Sequence, residues 1–484
     1  MIKNYINGQW LDSNAKNSVE ILNPATGKVL DTCPLGTNED VNRAVAAALA
    51  AFPAWRQTPA VDRVQPLFKF KSLMEENLED IARCVTMENG KTLAEARASV
   101  RRGLQMVDTA CGIPSLMMGE ISEDIAAGID SQAIKQPMGV FAGITPANFP
   151  AMVPFWFWPF AVACGNTYVL KPSERVPLTQ NKIFALLEKA GFPKGVLNMV
   201  HGGKEVVDAL CTHPDVKGVS FVGSTPVAKH VYTTSTGTGK RVQSLGGAKN
   251  TMVILPDAVM DKSVSTALES ITGCAGQRCL AGSVVLCVGE DTYQKVSQKI
   301  AKAAGDVSVG DGLDANTQMG PVISQASKDR ILGLIESAVK DGAKILVDGR
   351  KLQKPAGFFL GITVLADIKP HMKIAQEEVF GPVVLLDKSN SLEEAINRIN
   401  SCPFANTTTL FTSSGAAARE FSYKVHPTMV GINIGVPAPM AFFSFGGSKD
   451  SFFGDIKVHG KACIDFFTDT KVTIHRWVKD SSIW

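Results

Sequence analysis

The ten cysteines of this 484-residue chain form no Cys-x-x-Cys pair, and its seven histidines form no His-x-x-x-His pair. A metal site is therefore not indicated. The scattered thiols, with no secretory segment ahead of them, fit a reducing, cytoplasmic setting. Charge of either sign is not in excess: a net +3, with Lys and Arg interspersed among Asp and Glu, offers nucleic acid no field. An apolar run of the ~20 residues that a membrane span needs is also lacking. The most apolar stretch, 149–164, is shorter and holds Pro150, Pro154 and Pro159, so it reads as a core helix lining a pocket. The Gly-x-Gly-x-x-Gly signature of dinucleotide folds is missing as well, because Gly237-Thr238-Gly239 runs into Lys-Arg-Val.

What remains is ordinary globular composition, 45% hydrophobic and 20% charged, long enough for about three domain-sized units. Residues 1–10 read as a strand and an Asn-Gly hairpin turn. Amphipathic helical spacing covers 39–52, 59–87 and 92–116, the last presenting Arg97, Arg101 and Arg102. Such a row is commonly a solvated face; the alternative is that one arginine reaches a substrate carboxylate. From residue 138 the rhythm becomes strand, loop, helix. Strands fall at 139–145, 167–171, 196–200, 218–222, 241–244 and 251–255, and helices at 151–164, 177–190, 204–210 and 226–234. This is the pattern of an α/β fold with a parallel sheet, whose ligands bind beyond the carboxyl ends of the strands. A second alternating unit has strands at 283–288, 344–347 and 363–365 and helices at 293–304, 328–341 and 392–399. The segments 119–136 and 471–477 read as a protruding flap that pairs between subunits.

Chemistry concentrates at Gly273-Cys274-Ala275-Gly276-Gln277-Arg278-Cys279, where a helix over 261–272 ends and hands a thiol to a cleft between the two α/β units. Cysteine attacks a carbonyl carbon as thiolate, and Arg278 with nearby backbone N–H groups offers Cys279 help in losing its proton. The competing reading of any one cysteine among ten is a buried structural thiol. Lys171 and Glu174 on one turn suit a ribose, since a carboxylate accepts from paired hydroxyls and repels a 2′-phosphate; this points to NAD over NADP. Gly223-Ser224, before a helix opened by Pro226, offers N–H groups and a hydroxyl to a phosphate, although many such turns bind nothing. The aromatic, glycine-rich stretch 436–447 either walls a substrate tunnel or simply packs.

The ordered set Thr145-Pro146-x-Asn148-Phe149-Pro150, Leu170-Lys171-Pro172-Ser173-Glu174, Phe221-Val222-Gly223-Ser224, Leu245-Gly246-Gly247, Gly276-Gln277-Arg278-Cys279 and Glu377-Glu378-Val379-Phe380-Gly381-Pro382 resembles the motifs of the NAD(P)-dependent aldehyde dehydrogenases, over residues 3–477. The resemblance implies two Rossmann-type parallel-sheet domains and a small β oligomerisation flap, assembled as a homodimer or homotetramer. The NAD-binding domain is expected over 1–118 and 138–246, the catalytic domain over 247–455, and the flap over 119–137 and 456–484. Cys279 is implied as nucleophile, with Asn148 and the Cys279 N–H holding the oxyanion. Lys171 and Glu174 are implied at the adenosine ribose, Ser224 at the pyrophosphate and Glu378 at the nicotinamide ribose. Thr145, Ala147, Phe149, Ser173, Arg175 and Gly246 would flank the cofactor, with Ala147 standing where many members carry an aromatic.

One departure sets the subclass. Members that use water carry Glu before Leu-Gly-Gly to activate it; this chain has Ser244 there, and serine is no base near neutral pH. A thiol attacks without such help. The run from Arg241 to Asn250, with Val436-Pro437-x-Pro439, further resembles the CoA-acylating methylmalonate-semialdehyde dehydrogenases. That likeness implies coenzyme A as acyl acceptor, a small aldehyde carrying a carboxylate as substrate, and loss of CO2. It also implies Arg102 and Arg278 as partners of the carboxylate, a role the guanidinium fork suits. Two alternatives stand beside it: a hydrolytic aldehyde dehydrogenase using another carboxylate as base, and a non-catalytic NAD-binding scaffold.

Overall fold

The computed structural model describes residues 1–478. The chain opens with the hairpin that its Asn-Gly pair predicts. Strands Asn4–Ile6 and Gln9–Leu11 are joined through Asn7 and Gly8 at φ of 52° and 72°, the left-handed pair a two-residue turn requires. Asn4–Ile6 then pairs antiparallel with Leu197–Met199 and joins an eight-stranded sheet.

In spatial order that sheet runs Gln9–Leu11, Asn4–Ile6, Leu197–Met199, Thr167–Lys171, Val140–Ile144, Val216–Val222, Arg241–Leu245 and Phe452–Phe453. Its central strands are parallel, and Val140–Ile144 and Thr167–Lys171 are buried at every position, as a sheet covered on both faces demands. Val140–Ile144 precedes its two neighbours in the chain yet lies between them. The chain winds outward through Thr167–Lys171 and later returns on the other side at Val216–Val222. Such a reversal opens a crevice at the carboxyl ends of the strands, and the loops 145–150 and 223–224 emerge into it.

The second sheet has seven strands, in the order Lys344–Val347, Thr363–Ala366, Val383–Ser389, Val284–Val288, Thr251–Ile254, Thr407–Phe411 and Met429–Ile432, all parallel but the first. Thr251–Ile254 continues the first series by sequence rhythm but sits inside this second sheet. Three of its strands, Val383–Ser389, Thr407–Phe411 and Met429–Ile432, escape the sequence pattern. Thr407–Phe411 is buried along its whole length, so it has no polar and apolar faces to alternate.

Two helical expectations change for the same reason. The stretch 59–87 is three helices, Ala60–Arg63, Gln65–Glu76 and Leu78–Asn89, with Pro66 in the first turn of the second. The stretch 149–164 is a 3₁₀ turn, Val153–Trp156, followed by a short helix, Trp158–Ala163, and each has a proline in its first turn. Proline fits there because that turn lacks an intrahelical partner for its N–H in any case. By contrast Leu93–Cys111 is continuous. It starts with a capping box in which Thr92 Oγ1 accepts from the Glu95 N–H (3.3 Å) and Glu95 Oε2 from the Thr92 N–H (3.0 Å), worth about 1 kcal/mol.

A three-stranded antiparallel ribbon stands apart, with Ile129–Pro137 between Thr468–Arg476 and Glu120–Ala126. It leaves Ile121, Ile125, Val472 and Ile474 exposed. The helix Gly460–Phe467 that leads into it buries Cys463, Phe466 and Phe467 in the core of the first sheet. Residues 479–484, the end of the expected flap, lie outside the described residues. Among the described residues no helix is long and apolar enough to cross a membrane.

Candidate active site

The helix Met260–Thr272 delivers the chain to the turn Gly273–Gly276, in which Cys274 and Ala275 both hold φ of 52° and Gly276 holds 73°. Two left-handed non-glycine residues in succession are a strained arrangement of the kind found at functional sites. Gly276 is required by close approach, since a Cβ there would lie 2.2 Å from Gly381 O. Beyond the turn, the Cys279 carbonyl accepts from the side-chain amides of Asn250 and Asn406, each at 2.8 Å and each standing just before a strand of the second sheet.

The loop 145–150 from the first sheet is pinned against this turn. Asn148 Nδ2 donates to Gln277 O (2.9 Å), Asn89 Nδ2 to Ala147 O (2.9 Å), and the buried Lys91 Nζ to Asn148 O (2.7 Å). A side-chain amide carries two hydrogens, so one N–H of Asn148 is left for a ligand.

Cys279 stands where two cavities meet and, among the described residues, is the only one that borders both. The larger, about 690 Å³, is walled by Ala147, Asn148, Ser224, Gly246, Gln277 and Glu378 among others. The smaller, about 580 Å³, is walled by Arg102, Phe149, Trp156, Arg278, Pro439 and their neighbours.

The residues expected around a cofactor divide into three groups. Ala147, Ser224, Gly246 and Glu378 border the larger cavity. Thr145, Lys171, Ser173, Glu174 and Arg175 form a connected turn that does not border it. There the Thr145 N–H donates to Lys171 O (3.1 Å), Lys171 Nζ to Glu174 (2.8 Å), and the Arg175 N–H to Ser173 Oγ (3.3 Å). Phe149, also expected to flank the cofactor, borders the smaller cavity, with Lys91 Nζ over its ring at 3.8 Å.

Arg102 and Arg278 both border the smaller cavity, and both have protein partners. Arg102 donates to Gln105 Oε1 (2.7 Å), Met440 Sδ (3.1 Å) and Ala438 O (3.3 Å), and also to Pro439 O. Arg278 pairs with Glu95 at 3.2 Å. Ser244 borders neither cavity; it is fully buried and its hydroxyl donates to Ala228 O (2.7 Å).

Burial pushes the Cys279 thiol up to about 12, and the Glu378 carboxylate adds to the rise. The N–H groups of Cys279 and Leu280 and the Arg278 charge pull downward, in the sense the sequence predicts, but burial outweighs them. Against an ordinary thiol at 9.0, the thiolate is disfavoured by about 4 kcal/mol. Glu378 is itself raised to about 7 by burial, opposed by the Ala248 N–H, which donates to its Oε1 at 3.0 Å, and by Lys249. Gly247 makes room for that carboxylate, since a Cβ there would lie 2.8 Å from Glu378 Oε2. Burial lowers Lys249 to about 8, and its Nζ holds the 374–378 segment through Ile374 O (2.6 Å) and Glu377 O (2.9 Å). For Glu174, burial alone would raise the pKa, but the Lys171 charge and hydrogen bond prevail and lower it.

Residues 10–473 match the aldehyde dehydrogenase family. The chain belongs to that family. It is 46% identical to malonate-semialdehyde dehydrogenase 1 of Oceanobacillus iheyensis over 98% of each chain. The crystal structure of methylmalonate-semialdehyde dehydrogenase from Oceanimonas doudoroffii superposes with a TM-score of 0.98 at 42% identity, covering 100% of this chain and 99% of that one. A provisionally named methylmalonate-semialdehyde dehydrogenase of Sinorhizobium meliloti, complexed with NAD, superposes with a TM-score of 0.98 at 40% identity over 99% of each chain. This aldehyde dehydrogenase thus has the family's fold of two parallel-sheet units, and it is an oxidoreductase by family. Of the residues that hold the site together, Gly247, Lys249 and Asn250 lie in the run 241–250 that carries the resemblance, whereas Lys91, Glu95 and Asn406 carry no functional signal in the sequence beyond the Thr92-x-x-Glu95 capping pattern.

Proposed function

We propose that this enzyme oxidises malonate or methylmalonate semialdehyde with NAD and passes the acyl group to coenzyme A with loss of CO2, forming acetyl-CoA or propionyl-CoA. The observation that carries the reading is Cys279 at the junction of the two cavities, with two arginines in the smaller one. The larger cavity suits a dinucleotide. Its wall includes Ser224 at the start of the helix Thr225–Thr236, where unpaired N–H groups favour phosphate, and the bare backbone of Gly223, Gly246 and Gly247. Lys171 and Glu174 would hold the adenosine ribose, Ser224 the pyrophosphate and Glu378 the nicotinamide ribose. NAD, when bound, supplies the acceptor for the hydride that the aldehyde carbon loses.

The chain's own residues do the rest. The Cys279 thiol loses its proton to solvent, the sulfur bonds to the aldehyde carbon, and the carbonyl electron pair moves onto oxygen. The free N–H of Asn148 and the Cys279 N–H donate to that oxygen. Arg102 and Arg278 hold the carboxylate. Oxidation leaves a thioester on Cys279. Because Ser244 is turned into the core, no base at that position activates water, and the thioester persists until a thiol takes the acyl group.

Assaying NADH from malonate, methylmalonate and succinate semialdehydes and propionaldehyde, with and without CoA, tests this. Without CoA, a burst of about one NADH per site is expected, with steady turnover only when CoA is added. Equal steady rates with and without CoA overturn the assignment. One observation favours a second, hydrolytic reading: Glu378 borders the Cys279 cavity with its carboxyl raised to about 7, where a base is effective. That reading predicts CoA-independent turnover that Glu378→Gln abolishes.

The exposed apolar side chains of the three-stranded ribbon support pairing between subunits of a homodimer or homotetramer. The division into 1–118 with 138–246, 247–455, and 119–137 with 456–484 belongs to the same reading. So does a cytoplasmic setting, which free thiols favour.

A further inference from the structure

The Arg278 guanidinium is held on three sides. Its Nη2 donates to Glu95 Oε1 (3.2 Å) and its Nε to Cys274 Sγ (3.4 Å). Its third side lies against Gly273, where an added Cβ would stand 2.1 Å from Cζ, 2.2 Å from Nη1 and 2.3 Å from Nη2. Gly273 holds φ −54° and ψ 128°, a conformation open to any residue, so its missing side chain answers to Arg278 and not to the backbone.

Glu95 is equally constrained. Its Oε2 accepts from the Thr92 N–H (3.0 Å) at the helix start, and its Oε1 also accepts from the Cys274 N–H (2.7 Å). Among the described residues Arg278 Nη1 makes no hydrogen bond, and it is not one of the buried atoms left without a partner, while Arg278 borders the smaller cavity. A guanidinium orientated in advance loses less freedom when it meets a carboxylate. Glu95 also offsets its charge while the site is empty.

We propose that Glu95 and Gly273 are positioning residues, which set Arg278 so that its Nη1 edge meets the substrate carboxylate, and that they thereby determine the preference for acidic over neutral aldehydes. The inference rests on the reading of Arg278 as a carboxylate partner.

The full-length enzyme tests it as Gly273→Ala, Glu95→Gln, Arg278→Lys and the double variant Gly273→Ala/Arg278→Lys, each assayed on malonate semialdehyde and propionaldehyde. The ratio of kcat/KM for the acidic to the neutral aldehyde should fall about tenfold in Gly273→Ala and in Glu95→Gln, chiefly through the semialdehyde KM. Adding Gly273→Ala to Arg278→Lys should change that ratio less than about twofold, because the slimmer lysine no longer meets the new methyl group. Glu95→Gln matches the wild-type shape and keeps an oxygen for Thr92, so it decides the matter if Gly273→Ala does not fold. The positioning role is overturned if Arg278→Lys lowers the ratio while the other single variants leave it unchanged. It is also overturned if those variants depress both substrates equally. If Arg278→Lys itself leaves the ratio intact, the carboxylate reading of Arg278 fails, and this inference with it.

Discussion

The two cavities that meet at Cys279 are made of different material. The larger is bordered by Gly223, Gly246 and Gly247, by the loops at strand ends and by the start of one helix, and Glu378 is its ionisable group whose charge acts on the sulfur. The smaller is walled by side chains: Phe149, Trp156 and Phe445, together with Arg102, Arg278 and Glu95. Backbone N–H groups and absent side chains suit a ligand with fixed phosphates, and they are locked into the sheet that displays them. Side chains on the helix Leu93–Cys111 and the loop around Pro439 can be exchanged without disturbing a strand. On the proposed reading, the generic half of the chemistry falls to the first cavity and substrate choice to the second.

The largest test of that contrast removes what the halves share. Cys279→Ala should cut NADH formation at least about 10⁴-fold from acidic and neutral aldehydes alike. Retention of a hundredth of the activity would detach both cavities from the chemistry. Asn148→Ala comes next, with kcat expected to fall about 10²–10³-fold and the KM values for NAD and aldehyde to hold steady. A loss confined to KM would make Asn148 a binding group only.

Sharper are the paired one-sided changes. Arg102→Ala should lower kcat/KM for malonate semialdehyde about 10–100-fold relative to propionaldehyde and leave the NAD KM unmoved. Glu174→Gln should narrow the preference for NAD over NADP about tenfold and leave the aldehyde preference alone. Cross-effects in steady-state kinetics would erase the distinction between the two walls.

The smallest effect concerns charge beside the sulfur. With its thiol near 12, Cys279 should alkylate faster as pH rises from 6 to 9. Across pH 7, however, Glu378 loses its proton, and the new negative charge opposes the thiolate, so the climb should flatten there. Glu378→Gln removes that charge and should raise the iodoacetamide rate at pH 8 by about threefold. A slower reaction would mean that Glu378 helps the thiol to ionise.

Much of this arrangement is legible in one dimension. Thr167–Lys171 falls at its expected bounds because a strand buried on both faces is a continuous apolar run closed by Pro172. Cys279 and Arg278 stand out as residue types with chemistry to perform where a helix ends, Asn148, Glu378 and Arg102 are pointed to by the family resemblance, and all five border one cavity or the other. Prolines, in contrast, mislead where they start a helix instead of ending it, as at Pro66 and Pro159.

The chain alone therefore determined its alternating α/β order, the motif residues at its strand ends and a serine at position 244 before Leu245-Gly246-Gly247. The folded structure decided the rest: that Ser244 turns into the core, that Phe149 borders the smaller cavity, and that Glu95 meets Arg278. It also decided that Asn250 and Asn406 clasp the Cys279 carbonyl from 29 and 127 residues away. Periodicity and turn chemistry act between neighbours and are written into short stretches, whereas burial, pKa and the choice of hydrogen-bond partner depend on groups that only folding brings together.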